Sequence, residues 1–383
     1  MTTSDSPAGG KTALILAGTL AGPVAAGGLA LLSKPFGGIL GIPGAAVGYI
    51  VMTCLVIGCV TALLTLRWPV SRRVAGGCAV LAGAGFAVAG LVSTLWVFVA
   101  AVLVASAAAG PLIVAARMVA FESRATLTGW QVATAVGAAG AGGMASLYVA
   151  DPGTGLVVAG ALTAVLGALV VAVESIAPRR DTPAGYDVGP GALPRGLLIG
   201  YAVVGALVGG TILPALHLLL FRWNTFGAEQ TNLLLLAVLS AALVLALPGP
   251  DTSAVPPLLV LGAGGPLLVA TAPGESTLAI GLAVTLIACA RAARGLDFEL
   301  VQLSYGTGRS AAVTPRSAAI TALVVAVAGA AGLGLVAGVE QFSGTGTGLT
   351  LLSVPTLIGA VLCGRAALAP RSAAAPLLQG GIS

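Results

Sequence analysis

Residue types that carry out catalysis are scarce in this sequence. Its 383 residues include 12 Asp and Glu, 17 Lys and Arg and a single histidine. The histidine, His217, has no acidic neighbour in sequence, and the five cysteines lie in apolar runs without a metal-binding spacing. The sequence contains no phosphate-binding loop and no dinucleotide fingerprint. This inventory argues against an enzyme, a metal site or a bound cofactor.

His217 is the best candidate for proton chemistry. It follows Pro214 in an apolar segment, close to one end of a predicted membrane span. An imidazole titrates near neutral pH, so His217 could bind and release a proton during transport. The alternative is an interfacial histidine at a helix end, with Arg222 and Trp223 nearby. Both interpretations remain open at the level of sequence.

A dense cluster of charges follows the predicted tenth span. Its two basic and two acidic residues have near-helical spacing and can pair with each other or with charges of the first half. Such pairs would close one side of a transport path as a gate. The alternative is a solvated helix end. The gate candidates are Arg72, Arg73, Arg117, Glu122, Arg124, Arg291, Arg294, Asp297 and Glu299.

Uncharged polar residues inside the apolar runs are candidates for contact with a substrate. A glutamine within a span needs water or a partner, and an adjacent tryptophan offers an apolar face to a ligand. The alternative for each residue is helix packing. The candidate cavity residues are Ser106, Trp130, Gln131 and Thr285.

The elements that must position these residues are membrane helices. Hydrophobic residues make up 58% of the chain and charged residues 8%, and the mean hydropathy is +1.07. A soluble domain has about 25% charged residues. The composition therefore predicts an integral membrane protein and excludes a disordered chain, a nucleic-acid-binding protein and a secreted disulfide scaffold.

Charged and Pro/Gly-rich breaks divide the chain into twelve predicted spans, since a bilayer core needs about 20 helical residues. The predicted spans are 12–33, 44–66, 74–92, 95–117, 128–149, 154–176, 197–220, 231–248, 256–272, 277–294, 317–338 and 349–367. The predicted domains are a six-helix bundle at 1–176, a cytoplasmic loop at 177–196 and a second bundle at 197–383.

With both termini in the cytoplasm, only Lys34 and Arg222 of the 17 basic residues lie outside, as the positive-inside rule requires.

Two stretches of sequence recur in the second half. Residues 136–142 resemble 328–334, and residues 112–117 resemble 286–291. Both pairs flank the same predicted loop, which indicates a duplication of six spans. Because six is even, the two copies have the same orientation in the membrane and are related by an axis along the membrane normal.

This organisation resembles the major facilitator superfamily of transporters. The resemblance rests on the six-plus-six topology, the central loop and the recurring loop after spans four and ten. The family's Gly-x-x-x-Asp-Arg-x-Gly-Arg-Arg signature is reduced here to Arg67-Trp-Pro-Val-Ser-Arg72-Arg73, without the Gly and Asp. The resemblance implies an all-α membrane protein with two six-helix bundles that transports by alternating access, and by analogy it implies export.

The scarcity of charge inside the spans predicts a small apolar or amphiphilic cargo, because such a cavity cannot compensate an ionic one. Two alternatives remain open: a non-transporting membrane partner or assembly protein of transporter descent, and a lipid flippase. The reduced signature favours the first alternative, and the short loops speak against it. Alanine, glycine and arginine usage is typical of a GC-rich bacterial genome, so we expect the protein to lie in the cytoplasmic (inner) membrane of a bacterium. We also expect it to be a monomer. Its partners would be a small-molecule substrate and the bilayer, with no nucleic acid.

Overall fold

The computed structural model describes residues 8–65, 67–68, 70–176, 193–222, 252–306 and 315–368. Throughout these ranges every regular element is a helix, which confirms the predicted all-helical class. The long helices are α1 (Gly9–Leu31), α2 (Gly44–Leu64), α3 (Arg72–Leu91), α4 (Leu95–Ala120), α5 (Arg124–Leu147), α6 (Pro152–Ile176), α7 (Arg195–Leu220), α8 (Val255–Ala270), α9 (Glu275–Gly306), α10 (Pro315–Ser343) and α11 (Thr345–Leu368).

Nine helices in the described part of the chain are long and apolar enough to cross a membrane. The other two are α5, which is 24 residues long but rich in glycine, and α8, which has 16 residues. A short helix, Ser33–Leu40, lies between α1 and α2. The predicted eighth span and residues 177–192 of the predicted central loop fall outside the described residues. The chain is therefore a multi-pass membrane protein.

Glycines set the distance between α3 and α6. Each helix carries three glycines seven residues apart, so all three lie on one face. An added Cβ at several of these positions would lie less than 3 Å from the backbone of the facing helix, so the two backbones are in direct contact. The six glycines are Gly76, Gly83 and Gly90 of α3 and Gly153, Gly160 and Gly167 of α6.

The helix pairing of the first six helices recurs among the last five. α3 packs on α4 and α6, and α8 packs in the same way on α9 and α11. α1 packs on α5, and α7 packs on α10. The helices α1 and α7 both contain a π-helical segment, Leu20–Ala26 and Val208–Ile212. Pro23 lies in the first of these, where the π register compensates for the N–H group that proline lacks.

The two ends of the bundle differ in charge and in packing. We call the end that carries Lys11, Arg72, Glu122 and Glu174 the charged end. Towards the opposite end, one apolar core joins helices from both sets. Towards the charged end, α7, α8, α9 and α11 have a core of their own. At the charged end, the first six helices and the last five share only a small buried apolar cluster in the described part of the chain, formed by Ala62, Val114 and Ala319. Apolar packing therefore joins the two sets less tightly at this end.

Candidate functional site

A buried ion pair joins α4 to α9. Arg117 Nη2 lies 3.0 Å from Asp297 Oδ1. Arg117 is 6% exposed and Asp297 is 2% exposed, and no other charged side chain is buried in the described part of the chain. The structure thus brings together one gate candidate from each half.

Three more helices contribute to this site. Tyr201 OH of α7 donates to Asp297 Oδ1 at 2.6 Å, and Gln131 Nε2 of α5 donates to Asp297 Oδ2 at 3.0 Å. Arg117 Nε donates to Thr321 Oγ1 of α10 at 3.1 Å. We call these five residues the buried polar network. It connects α4 and α5 to α7, α9 and α10 close to the charged end.

Aromatic rings complete the surroundings of the guanidinium. Arg117 Cζ lies 5.3 Å from the centroid of Phe121 and 5.1 Å from that of Tyr201, both within the range of a cation–π interaction. Burial of a charge is unfavourable unless it is paired and hydrogen-bonded. The network meets both conditions, because Asp297 accepts three hydrogen bonds and Arg117 has an anion, a hydroxyl and two rings around it.

A second group of charges lies within the first six helices. Lys11 Nζ is 3.1 Å from Glu122 Oε2, and Arg72 pairs with both Glu122 and Glu174. These side chains are between 19% and 33% exposed, so the pairs add little to stability. Glu122 therefore pairs within its own half. Its predicted pairing across the repeat axis is not what the structure shows.

The other gate candidates surround the network at greater exposure. Arg73 and Arg124 are exposed at the starts of α3 and α5. Arg291, Arg294 and Glu299 are half-buried along α9, on either side of Asp297. The sequence predicts these charges to lie where the helix leaves the membrane, but α9 continues to Gly306. Leu296 and Leu300 are buried together with Asp297, so this part of α9 is packed and is not a solvated end.

A cavity of about 320 Å³ lies at mid-depth between the two sets of helices. α1, α2, α4 and α5 line it from one side, with Phe86 of α3, and α7 and α10 line it from the other. Among the described residues of the lining, the only polar side chains are those of Cys59 and Ser106, and none is charged. The cavity can therefore surround an apolar molecule and offer it one hydroxyl and one thiol.

Of the four candidate cavity residues, Ser106 lines this cavity. Trp130 is buried against α1 near Gly18, and Gln131 belongs to the network. Thr285 is buried and donates to the carbonyl of Gly281 in its own helix, at 2.9 Å. These three residues lie outside the lining because the rotation of an apolar helix depends on packing, which a run of apolar residues does not specify.

Helices of the two sets are also in contact near the opposite end. Gln341 Nε2 of α10 donates to Tyr49 OH of α2 at 3.1 Å. A Cβ added to Gly142 of α5 would lie 2.8 Å from Leu216 of α7, so these helices are in close contact. His217 is half-buried next to Leu216 and is not among the lining residues of the cavity. The charges of Glu340 and Lys34 act on it.

Tyr201 and Thr321 are functional candidates that sequence reasoning missed. A tyrosine within an apolar run is a signal, because a buried phenol group needs a hydrogen-bond partner. Thr321 offered no comparable signal, since threonines in membrane helices usually bond to a carbonyl of the preceding turn. Thr321 also makes such bonds, to the carbonyls of Ser317 and Ala318.

Two solved structures are similar to the whole chain. The human organic anion transporter MFSD10 (TETRAN) superposes with a TM-score of 0.55 at 18% identity, covering 93% of this chain and 97% of that one. The nucleoside transporter NupG superposes with a TM-score of 0.57 at 15% identity, covering 93% of this chain and 99% of that one. Both proteins are transporters. No protein-family model and no curated protein sequence matches the chain. The chain thus has the fold of the major-facilitator type of membrane transporter.

Proposed function

We propose that this chain is a secondary transporter that moves a small, uncharged, apolar or amphiphilic molecule by alternating access. The observation that carries the proposal is the apolar cavity at mid-depth, which helices of both sets line and whose described lining residues include no charged side chain. An ionic cargo would lose its hydration there without gaining a counter-charge. An apolar cargo would replace unfavourable contact with water by van der Waals contact with the cavity wall.

The proposed motion is a rocking of two six-helix bundles, residues 1–176 and 197–383, connected by the loop 177–196. This division assumes twelve spans, with the eighth at 231–248. The recurring helix pairing supports two related bundles. The buried polar network supports a gate at the charged end, because hydrogen bonds and one ion pair join the bundles there and can be exchanged for water.

The distribution of basic residues supports a cytoplasmic location for the charged end and for both termini. We propose the cytoplasmic membrane of a bacterium, a monomer, and export as the direction. His217 is the residue that the sequence predicts to couple transport to a proton. Its half-buried position near the opposite end, where the charges of Glu340 and Lys34 act on it, supports that role.

Two variants of α10 test the proposed path. Ala326 lines the cavity, and its neighbour Val327 does not. We expect Ala326→Phe to fill part of the 320 Å³ cavity and to abolish both transport into reconstituted vesicles and thermal stabilisation by cargo. Val327→Phe should retain both. Cargo would be identified by thermal stabilisation of the purified protein across a panel of neutral, amphiphilic, dianionic and dicationic compounds.

Two results would contradict the proposal. Selective, saturable uptake of a dianion or a dication would refute the cargo class, because the lining has no charge to compensate it. Stabilisation by no compound, with Ala326→Phe and Val327→Phe indistinguishable from the native protein, would favour a non-transporting membrane partner instead.

A further inference from the structure

Thr211, in the middle of α7, has a buried hydroxyl group without a hydrogen-bond partner. The residue is 0% exposed, and its Oγ1 is the one buried side-chain nitrogen or oxygen in the described part of the chain that makes no hydrogen bond. A buried hydroxyl of this kind is unfavourable, because it has lost its bonds to water and gained none in return. A different form of α7 that supplied an acceptor would therefore be favoured by Thr211.

The π-helical segment of α7 explains the missing bond. Thr211 lies within this segment, Val208–Ile212, where main-chain N–H groups bond to the carbonyl five residues back. In an α-helix the hydroxyl of Thr211 would reach the carbonyl of Leu207, four residues back. The other buried hydroxyl groups of the described helices all donate to a carbonyl three or four residues back, and they belong to Thr19, Ser146, Thr163, Thr285, Thr321, Ser353 and Thr356.

Pro214 accounts for only part of this arrangement. It follows the π-helical segment and lacks an N–H group, so one main-chain carbonyl of the preceding turn has no donor in any register. That carbonyl is a property of the proline, whereas the hydroxyl of Thr211 loses its acceptor only because the turn before Pro214 is π-helical. The register of residues 208–212 therefore decides whether Thr211 is satisfied.

A change of this segment to the α register would rotate only one half of α7. A π-helical turn holds one more residue than an α-helical turn, so the residues beyond it would turn by about one residue, or about 100°. The half of α7 before the segment is held against α10, because a Cβ added to Gly205 would lie less than 3 Å from the backbone of Val325. The half towards the opposite end would therefore turn, with each residue taking the place of the next.

This half of α7 contacts the first set of helices near the opposite end. Leu213 Cδ2 lies 3.5 Å from a Cβ added to Gly27 of α1, and Leu216 Cδ2 lies 2.8 Å from a Cβ added to Gly142 of α5. The rotation would carry Leu213 away from α1 and bring Ala215 to the place of Leu216. Because alanine is much smaller than leucine, the contact with α5 would be lost.

We propose that the π-helical segment of α7 is a register switch, π-helical while the two sets touch near the opposite end and α-helical while they are apart there. Thr211 favours the α register by donating to Leu207. This inference rests on the proposed transport function and names the element that opens the opposite end. Val208, Gly209 and Ile212 of the segment line the cavity, so a cargo in the cavity touches the switch and can shift its equilibrium.

Cysteine labelling reads the register directly. A chain with its five native cysteines replaced by alanine would carry Leu213→Cys or Ala215→Cys, in sealed vesicles of one orientation, and meet a membrane-impermeant maleimide on the side of the opposite end. Leu213 lines the cavity and Ala215 is 0% exposed, so separation of rigid helices would label Leu213→Cys and protect Ala215→Cys. The register switch predicts the reverse, because Ala215 turns towards the path and Leu213 turns away from it.

The role of Thr211 is tested by the populations of the two forms. Spin labels at Leu147→Cys and Phe342→Cys, both exposed at the ends of α5 and α10, would report short and long separations by pulsed electron paramagnetic resonance. Thr211→Val keeps the shape and removes the hydroxyl, so the ratio of long to short separations should fall about fivefold. Thr211→Ser should keep the native ratio.

Thr285→Val is the matched control. Thr285 is also 0% exposed, but its hydroxyl donates to Gly281 of its own helix, and that bond is the same in both registers. Its removal should change the melting temperature without changing the ratio of the two separations. Thr211→Val should change the ratio itself, which a purely structural role of the side chain would not do.

Three results would overturn the switch: labelling of Leu213→Cys with protection of Ala215→Cys, an unchanged ratio in Thr211→Val, or the same fall in ratio in Thr285→Val. Position 326 separates these results from failure of the transport proposal. If Ala326→Cys in the cavity is labelled from both sides of the membrane, the proposed function stands and only the switch is refuted. If Ala326→Cys is labelled from one side only, the proposed function fails as well.

Discussion

Replacement of Gly83 by alanine is expected to force α3 and α6 apart. A Cβ at this position would lie 2.4 Å from the carbonyl oxygen of Gly160, and 2.5 and 2.9 Å from the backbone nitrogen and Cα of Ala164. All three atoms belong to the main chain of the facing helix, so no side-chain rotation can relieve the contact. The helices would have to separate by about 1 Å to restore ordinary van der Waals distances.

Two opposing effects set the change in the free energy of unfolding that Gly83→Ala causes. Overpacking of a close interface costs about 1–3 kcal/mol. Alanine is favoured over glycine inside a helix by about 0.5–1 kcal/mol, which offsets part of that cost. We therefore expect Gly83→Ala to lose about 1–2 kcal/mol of stability.

Gly77, on the same helix, is the matched control. No atom lies within 4 Å of a Cβ added there, so Gly77→Ala should show only the gain in helix propensity. The assay is thermal unfolding of each purified variant in the same detergent. The double variant Gly83→Ala with Gly160→Ala should lose less than the sum of the single losses, because one separation of the two helices relieves both clashes. Equal Tm values for Gly83→Ala and Gly77→Ala would show that the two backbones are not in contact.

Two further predictions concern stability. Arg117→Ala should lower the free energy of unfolding by about 3–5 kcal/mol, because it leaves Asp297 buried without its counter-charge. The double replacement Arg117→Met with Asp297→Leu should lower it by less. Equal losses for the two proteins in denaturant unfolding would argue against a buried pair. Ser123 caps α5 by accepting from Thr126 N, so Ser123→Ala should lose about 1 kcal/mol, whereas Thr94→Ala at the uncapped start of α4 should be near neutral. The same Tm shift for both alanine variants would show that the Ser123 cap contributes nothing.

Apolar runs predicted the described helices well, because length and hydropathy are properties of the local sequence. The predicted fifth span, 128–149, corresponds to α5, and the predicted ninth, 256–272, corresponds to α8. The tenth was predicted to end at 294, whereas α9 runs to Gly306. The charges near residue 294 predicted that the helix leaves the membrane there. Asp297 instead remains buried, because Arg117 of α4 pairs with it.

The site was predicted only in part, for a physical reason. Arg117 and Asp297 were both gate candidates, because charges at the helix ends of the two halves can pair across the repeat axis. The partners themselves are set by the rotation of each helix, and helices that are apolar all round carry little information about rotation. Gln131 was therefore expected in the cavity, although it donates to Asp297. The role of Tyr201 is evident only once α7 is placed beside α9.

Accessibility of position 326 tests most directly whether the apolar cavity opens in turn to the two sides of the membrane. An Ala326→Cys variant lacking the native cysteines would be placed in sealed vesicles and treated with a membrane-impermeant maleimide from either side. Alternating access predicts labelling from both sides, with modification from one side preventing later modification from the other, and no labelling of Val327→Cys. Labelling from one side only, under all conditions, would contradict alternating access through this cavity.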